Sequence, residues 1–88
     1  MTFNKDDIQK FLVVFNESKD RIRSFPGCDH VDLLQDVDHT NVFSTYSHWE
    51  SVEDLDKYRS SEFFRGVWGK TRVLFSEKPK AHSYQIVD

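Results

Sequence analysis

Apolar positions change their spacing along the chain, and the changes mark out its elements. From residue 5 to residue 24, Ile8, Phe11, Leu12, Phe15 and Ile22 recur at steps of three, four and seven. They form a single stripe on a helix of about five turns. Asn4 or Asp6 is placed to cap its start, and Asp6 and Asp7 suit the positive end of its dipole. Lys19, Arg21 and Arg23 gather at the negative end. Phe25-Pro26-Gly27 stops the helix, because proline cannot continue the ladder and glycine tolerates the turn. Cys28 to Val37 then shows a short β-like pattern with Val31, Leu33 and Leu34, and Asp36 to Asn41 is a polar turn. Val42 to Trp49 alternates: Phe43, Thr45, Ser47 and Trp49 face one way, Val42, Ser44, Tyr46 and His48 the other. The two segments predict a hairpin.

The stretch from Trp49 to Trp68 reads as a strand end, a capped short helix, a serine break and an aromatic-rich helix. Ser51-x-x-Asp54 is close to a capping box, so a short helix starts at Ser51 and turns Leu55 and Tyr58 inward. Ser60 and Ser61 suit the cap of a second helix, whose stripe is Phe64, Val67, Trp68, Thr71, Leu74 and Phe75. Lys78-Pro79-Lys80 ends it, and Ala81 to Val87 alternates as a last strand. With Met1 to Phe3 as an extended stub in front, the order is β-α-β-β-α-β. That is the α+β, ferredoxin-like arrangement with an antiparallel sheet, in which the first strand is central, between the third and the last. Three residues are short for a central strand, where five or six are usual. Either the central strand is unusually short here or, the favoured expectation, the natural polypeptide starts a few residues upstream of Met1.

Length and composition narrow the picture. Eighty-eight residues predict one domain spanning 1–88, near the small end of what folds on its own core. A net charge of −3, with basic residues scattered among acidic ones, argues against a nucleic-acid partner. Thirteen aromatic residues are many for a small monomer to cover, which predicts a homodimer or a ligand pocket. The single cysteine, Cys28, excludes an intramolecular disulfide and a cysteine-built zinc site. With no leader-like or membrane-length apolar run, a soluble, cytoplasmic protein without membrane contact is expected.

The candidate chemistry lies in histidines and aromatics. His30 and His39 flank the hairpin among aspartates but show no metal-ligand spacing and read as a solvated turn. His48 shares a strand face with Ser44 and Tyr46, and His82 shares one with Tyr84 and Ile86. Each is either a general base in a pocket or a satisfied residue at a dimer contact. Trp68 is either a core tryptophan or a pocket wall for a flat aromatic substrate. In the first case, truncation to alanine would cost roughly 3–5 kcal/mol. Tyr58 is placed to close the same cavity, Tyr46 and Phe64 are further candidate substrate contacts, and Arg72 could reach an anionic intermediate. No glycine-rich phosphate loop and no nucleophile elbow occurs.

Taken in order, four motifs carry a resemblance. They are Ser24-Phe25-Pro26-Gly27-Cys28, Tyr46-Ser47-His48-Trp49-Glu50-Ser51, Asp54-Leu55-x-x-Tyr58-x-x-Ser61-x-x-Phe64-x-x-x-Trp68, and Lys78-Pro79-x-Ala81. Together they resemble the antibiotic biosynthesis monooxygenase family, in particular its small quinol-monooxygenase-like members. The resemblance implies a dimeric α+β barrel and, for some members, oxygenation of quinol- or anthrone-like compounds by dioxygen without metal or flavin. It therefore implies no cofactor, a small aromatic substrate bound by Trp68, Tyr58, Tyr46, Phe64 and Arg72, and His82 or His48 as base or oxyanion donor. In a haem-degrading branch a histidine ligates iron from the position of Trp68. Tryptophan cannot, so the resemblance points away from haem. A non-catalytic dimeric module for small molecules or stress on the same scaffold is the alternative expectation. A weaker third is sugar or lactone isomerisation.

Overall fold

The computed structural model describes residues 1–87. After a single 3₁₀ turn at Lys5–Asp7, helix α1 spans Ile8–Arg23. Its stripe buries Phe11 and Ile22 and half-buries Ile8, Leu12 and Phe15, as the spacing predicts. The capping expectation needs correction. Asn4 precedes the 3₁₀ turn and Asp7 precedes α1, and neither they nor Asp6 supplies a side-chain cap bond. The 3₁₀ turn satisfies the first amides locally instead, through Asp7 N–H donating to the Asn4 carbonyl at 2.9 Å. Gly27, at φ +83°, turns the chain into the hairpin, and a side chain there would run into Asp54.

Strands β1 (Cys28–Gln35) and β2 (Phe43–Trp49) pair antiparallel, with Val31 opposite Ser47, Leu33 opposite Thr45 and Gln35 opposite Phe43. The turn between them is held by Asp36, whose carboxylate accepts from the Asp38 and His39 amides at 2.8 and 2.9 Å. Those bonds hold its carboxyl below the usual carboxylate range. A bulge between Cys28 and His30 places Asp29 and His30 together on the outer face and returns Cys28 to the helix side, opposite Trp49.

Helix α2 spans Val52–Arg59 and α3 spans Glu62–Arg72. Both serine caps are present: Ser51 Oγ accepts from the Asp54 amide and Ser61 Oγ from the Phe64 amide, each at 3.1 Å. Ser61 also donates to the Tyr58 carbonyl at 2.6 Å, which ties the end of α2 to the start of α3. The predicted stripe overran the helix. α3 ends at Arg72, and Leu74 and Phe75 leave it through tight turns.

Phe75 then bridges to Phe3, while Thr2 bridges to Val42. The amino-terminal stub thus lies between β2 and the segment after α3, the central place that a ferredoxin-like α+β sheet gives its first strand. Met1 and Phe43 exchange backbone bonds at 2.8 Å, and Ser76 donates to the Thr2 carbonyl at 2.8 Å. The predicted last strand is a correction: Ala81 to Val87 is exposed and has no regular structure. The core centres on Phe3, Phe11 and Phe43, with Met1, Leu33, Leu74 and Phe75 packed round it. Phe3 is 0 % exposed. No helix among the described residues is long and apolar enough to cross a membrane.

Candidate functional site

The helix-side face of β2 carries Phe43, Thr45, Ser47 and Trp49 in alternation. Phe43 is buried in the core and Trp49 is half-buried, yet Thr45 and Ser47 between them are exposed. The reason lies in how the helices are laid. α1 packs on β1 and covers Val31, while α3 packs on α1 and α2 and leaves the middle of β2 uncovered.

Aromatic rings run in a continuous chain of contacts. Trp49 stacks on Tyr58 at 5.0 Å between ring centres, and Tyr58 meets Phe64 edge-on at 5.1 Å. Phe64 lies parallel to Trp68 at 6.1 Å, and Trp68 meets Phe75 edge-on at 5.4 Å. Phe75 touches Phe3 at 5.3 Å, and Phe3 meets Phe43 at 6.0 Å. Trp49, Tyr58, Phe64, Trp68 and Phe75 are all half-buried. These rings form one half-buried aromatic cluster. Two shallow depressions elsewhere, one beside Arg21 and Pro26 and one between α1 and α3, contain none of the predicted site residues.

The polar groups beside the aromatic cluster are few. The indole Nε1–H of Trp49 donates to Ser47 Oγ at 3.0 Å. Burial among the rings pushes the Tyr58 hydroxyl up to about 12, and negative charge on nearby Cys28 adds to the effect. The Cys28 thiol is itself pushed up, chiefly by burial. Tyr58 is therefore a neutral wall at ordinary pH.

The structure brings three of the predicted residues together, Tyr58, Phe64 and Trp68. The others lie apart from them. His48 is on the outer face of the hairpin, its Nδ1 at 2.8 Å from Asp29 Oδ2. Tyr46 shares that face and is 53 % exposed. His82 sits in the carboxy-terminal segment, exposed, with its ring 6.3 Å from that of Tyr84. Arg72 is exposed at the end of α3. The sequence pattern did not single out Ser47, Thr45 and Trp49, which the structure places on the helix-side face of β2, with Trp49 joined to the aromatic cluster. The alternation placed them on one face, but only the lay of the helices shows that this part of the face is open. Among the described residues, no group of three or more His, Cys, Asp or Glu side chains converges as metal ligands would.

Comparison with known proteins adds a family. The sequence profile described as antibiotic biosynthesis monooxygenase matches residues 1–67. A Bordetella bronchiseptica structure ascribed to the antibiotic biosynthesis monooxygenases superposes with a TM-score of 0.86 at 19% identity, covering 99% of this chain and 90% of that one. A second structure, of an antibiotic biosynthesis monooxygenase, gives 0.80 at 19% identity, with 88% and 81% covered. A conserved protein from Methanosarcina mazei Go1 gives 0.83 at 13% identity, with 88% and 76% covered. At such identities these likenesses show the fold. No curated protein matches the sequence.

Proposed function

Because the chain belongs to the antibiotic biosynthesis monooxygenase family, we propose that it is a homodimeric oxygenase acting on a small, flat, electron-rich aromatic of the quinol or anthrone type. The observation that carries this is the half-buried aromatic cluster of Tyr58, Phe64 and Trp68, together with the exposed hydroxyl side chains of Thr45 and Ser47 on the helix-side face of β2. A ring of the substrate stacks on the aromatic wall, and its oxygens meet the hydroxyl side. An ionised quinol passes an electron to dioxygen, and the resulting radicals combine to a peroxide. One oxygen atom stays on the ring and the other leaves as water, so the substrate supplies all four electrons. The protein contributes orientation, exclusion of water and hydrogen bonds to the oxyanion.

The homodimer is part of the same proposal. The outer face of the hairpin exposes Leu34 and Tyr46 beside the His30–Asp32 and His48–Asp29 pairs, a surface of mixed character suited to a second copy. Sedimentation at micromolar concentration is expected to show a dimer, and monomer alone would refute that part.

A second reading has an observation of its own. His48 lies on the outer face of the hairpin against Asp29 and His82 is exposed near Tyr84, as suits a module that binds aromatics without turnover. Oxygen uptake with a panel of quinols and anthrones separates the two. Uptake lost in Trp68→Ala supports the oxygenase, whereas binding without uptake across the panel leaves the binding module.

A further inference from the structure

Resting on the homodimer reading, we propose that the outer face of the hairpin is a pH switch, through which two copies associate when His30 and His48 are protonated and separate when they are neutral. The chain has 12 lysines and arginines, yet none lies between Cys28 and Trp49. The acids of that stretch are Asp29, Asp32, Asp36 and Asp38, and its only basic side chains are His30, His39 and His48. Register and bulge gather the charged groups of the two strands on one face, with His30 directly opposite His48 and Asp32 opposite Tyr46. His30 Nε2 lies 2.6 Å from Asp32 Oδ2 and His48 Nδ1 lies 2.8 Å from Asp29 Oδ2, all of these side chains half-exposed. Arg23 reaches β1 from α1, where it donates to the Val31 carbonyl at 3.1 Å. In the turn, Asp36 accepts from the Asp38 and His39 amides. The charge of the outer face therefore depends on histidine, the side chain whose charge changes between about pH 5 and 8.

With both rings neutral, Asp29 and Asp32 are uncompensated, and two copies meeting on this face bring their carboxylates together. Like charges so juxtaposed oppose association. With both rings protonated, each aspartate has its own cation and these groups carry no net charge. Protonation also gives each ring a second N–H, on His30 Nδ1 and His48 Nε2, which its own aspartate does not use. A two-fold axis sets the same patch against itself, so the second N–H is offered to a carboxylate of the other copy. Leu34 and Tyr46, 50% and 53% exposed on the same face, supply apolar contact at either pH. Because the facing carboxylates favour the charged imidazole, dimerisation takes up protons. Its added strength is full below the histidine range and is lost as pH rises through it.

Sedimentation equilibrium at low salt, from about pH 5.5 to about pH 8, is the test, with circular dichroism at each pH to confirm the fold. Surface charge pairs are individually weak. Those of two copies together should make the dimer about tenfold tighter at the acid end, and less so at high salt. His30→Gln with His48→Gln should remove the dependence and leave the weaker association at every pH. His39→Gln with His82→Gln removes the other histidines of the chain and should leave the dependence whole. Asp29→Asn with Asp32→Asn removes the repulsion and should tighten the dimer at the alkaline end. A dissociation constant that does not change with pH overturns the switch and leaves the dimer standing. A dependence that survives the loss of His30 and His48 also overturns it. Monomer at every pH overturns the dimer, and the switch with it.

Discussion

Replacing Phe3 by alanine tests whether three residues of extended chain act as the central strand of this sheet. The Phe3 ring is fully buried and touches Phe11 at 4.3 Å, Phe75 at 5.3 Å and Phe43 at 6.0 Å. Truncation of such a ring costs about 3–5 kcal/mol, which includes the loss of those ring pairs. For 88 residues, at ~0.05–0.15 kcal/mol each, the whole fold is worth about 4–13 kcal/mol. The substitution therefore removes a large share of the total. The backbone bonds of Phe3 do not depend on its side chain: its amide donates to the Asn41 carbonyl at 3.0 Å, and its carbonyl accepts from Asn41 Nδ2 at 2.9 Å. Urea unfolding followed by the fluorescence of Trp49 and Trp68 is the assay, with an unchanged slope as the condition for reading a stability change. In a domain of this size the thermal midpoint should fall by at least about 12 °C. Phe3→Leu refills most of the volume and should lose roughly half as much. A Phe3→Ala protein within about 1 kcal/mol of the parent would refute the placement of the stub in the core.

Four further outcomes are expected. Gly27→Ala should cost about 1–3 kcal/mol in urea unfolding, because φ +83° strains a side chain and the new methyl meets Asp54; an unchanged midpoint would contradict the turn. Ser61→Ala removes the cap of α3 and the tie to Tyr58, and should cost about 1 kcal/mol by the same assay. Tyr58 ionises near 10.0 when unfolded and only at about 12 when folded. Between those values the unfolded chain loses the proton first, so the contribution of Tyr58 to stability is flat below about pH 10 and falls by up to about 2 kcal/mol as pH rises through the window. The drop should shrink in Tyr58→Phe. Trp68→Ala should cost only about 1–3 kcal/mol in thermal unfolding, less than a core truncation, because Trp68 is half-buried against Phe64 and Phe75; a loss of 5 kcal/mol would put it in the core instead.

Where local pattern decides structure, the sequence was legible. The stripe from Ile8 to Ile22 is the core face of α1, the alternation from Val42 to Trp49 is β2, and Ser51 and Ser61 cap the helices that follow them. Where the deciding partner is distant in the chain, it was not. Leu74 and Phe75 keep the helical period, yet Phe75 leaves the helix because Phe3 offers it a bridge and a ring. Ala81 to Val87 alternates like a strand, but alternation without a neighbouring edge makes no ladder. The bulge at Asp29 has no signature in the residue pattern, although it decides that Cys28 lies beside Tyr58 and that Asp29 reaches His48. The aromatic cluster was half legible. Tyr58, Phe64 and Trp68 lie on the inward positions the pattern predicts, while the exposure of Thr45 and Ser47 depended on which part of β2 the helices leave bare.

The pleat of β2 also explains why its helix-side face offers hydroxyls where a histidine had been expected. Neighbouring residues on a strand face opposite sides, so Trp49 and His48 cannot both face the helices. The stack of Trp49 on Tyr58 and the burial of Phe43 fix the register from both ends of the strand. With that register, positions 45 and 47 face inward, and they hold threonine and serine. His48 then has the outer face, where the bulge brings Asp29 to meet it. A one-residue slip would bring His48 to the helix side only by ejecting Phe43 from the core and Trp49 from its stack, at a cost of several kcal/mol. The same two aromatic anchors thus keep the histidine of this strand off its helix-side face.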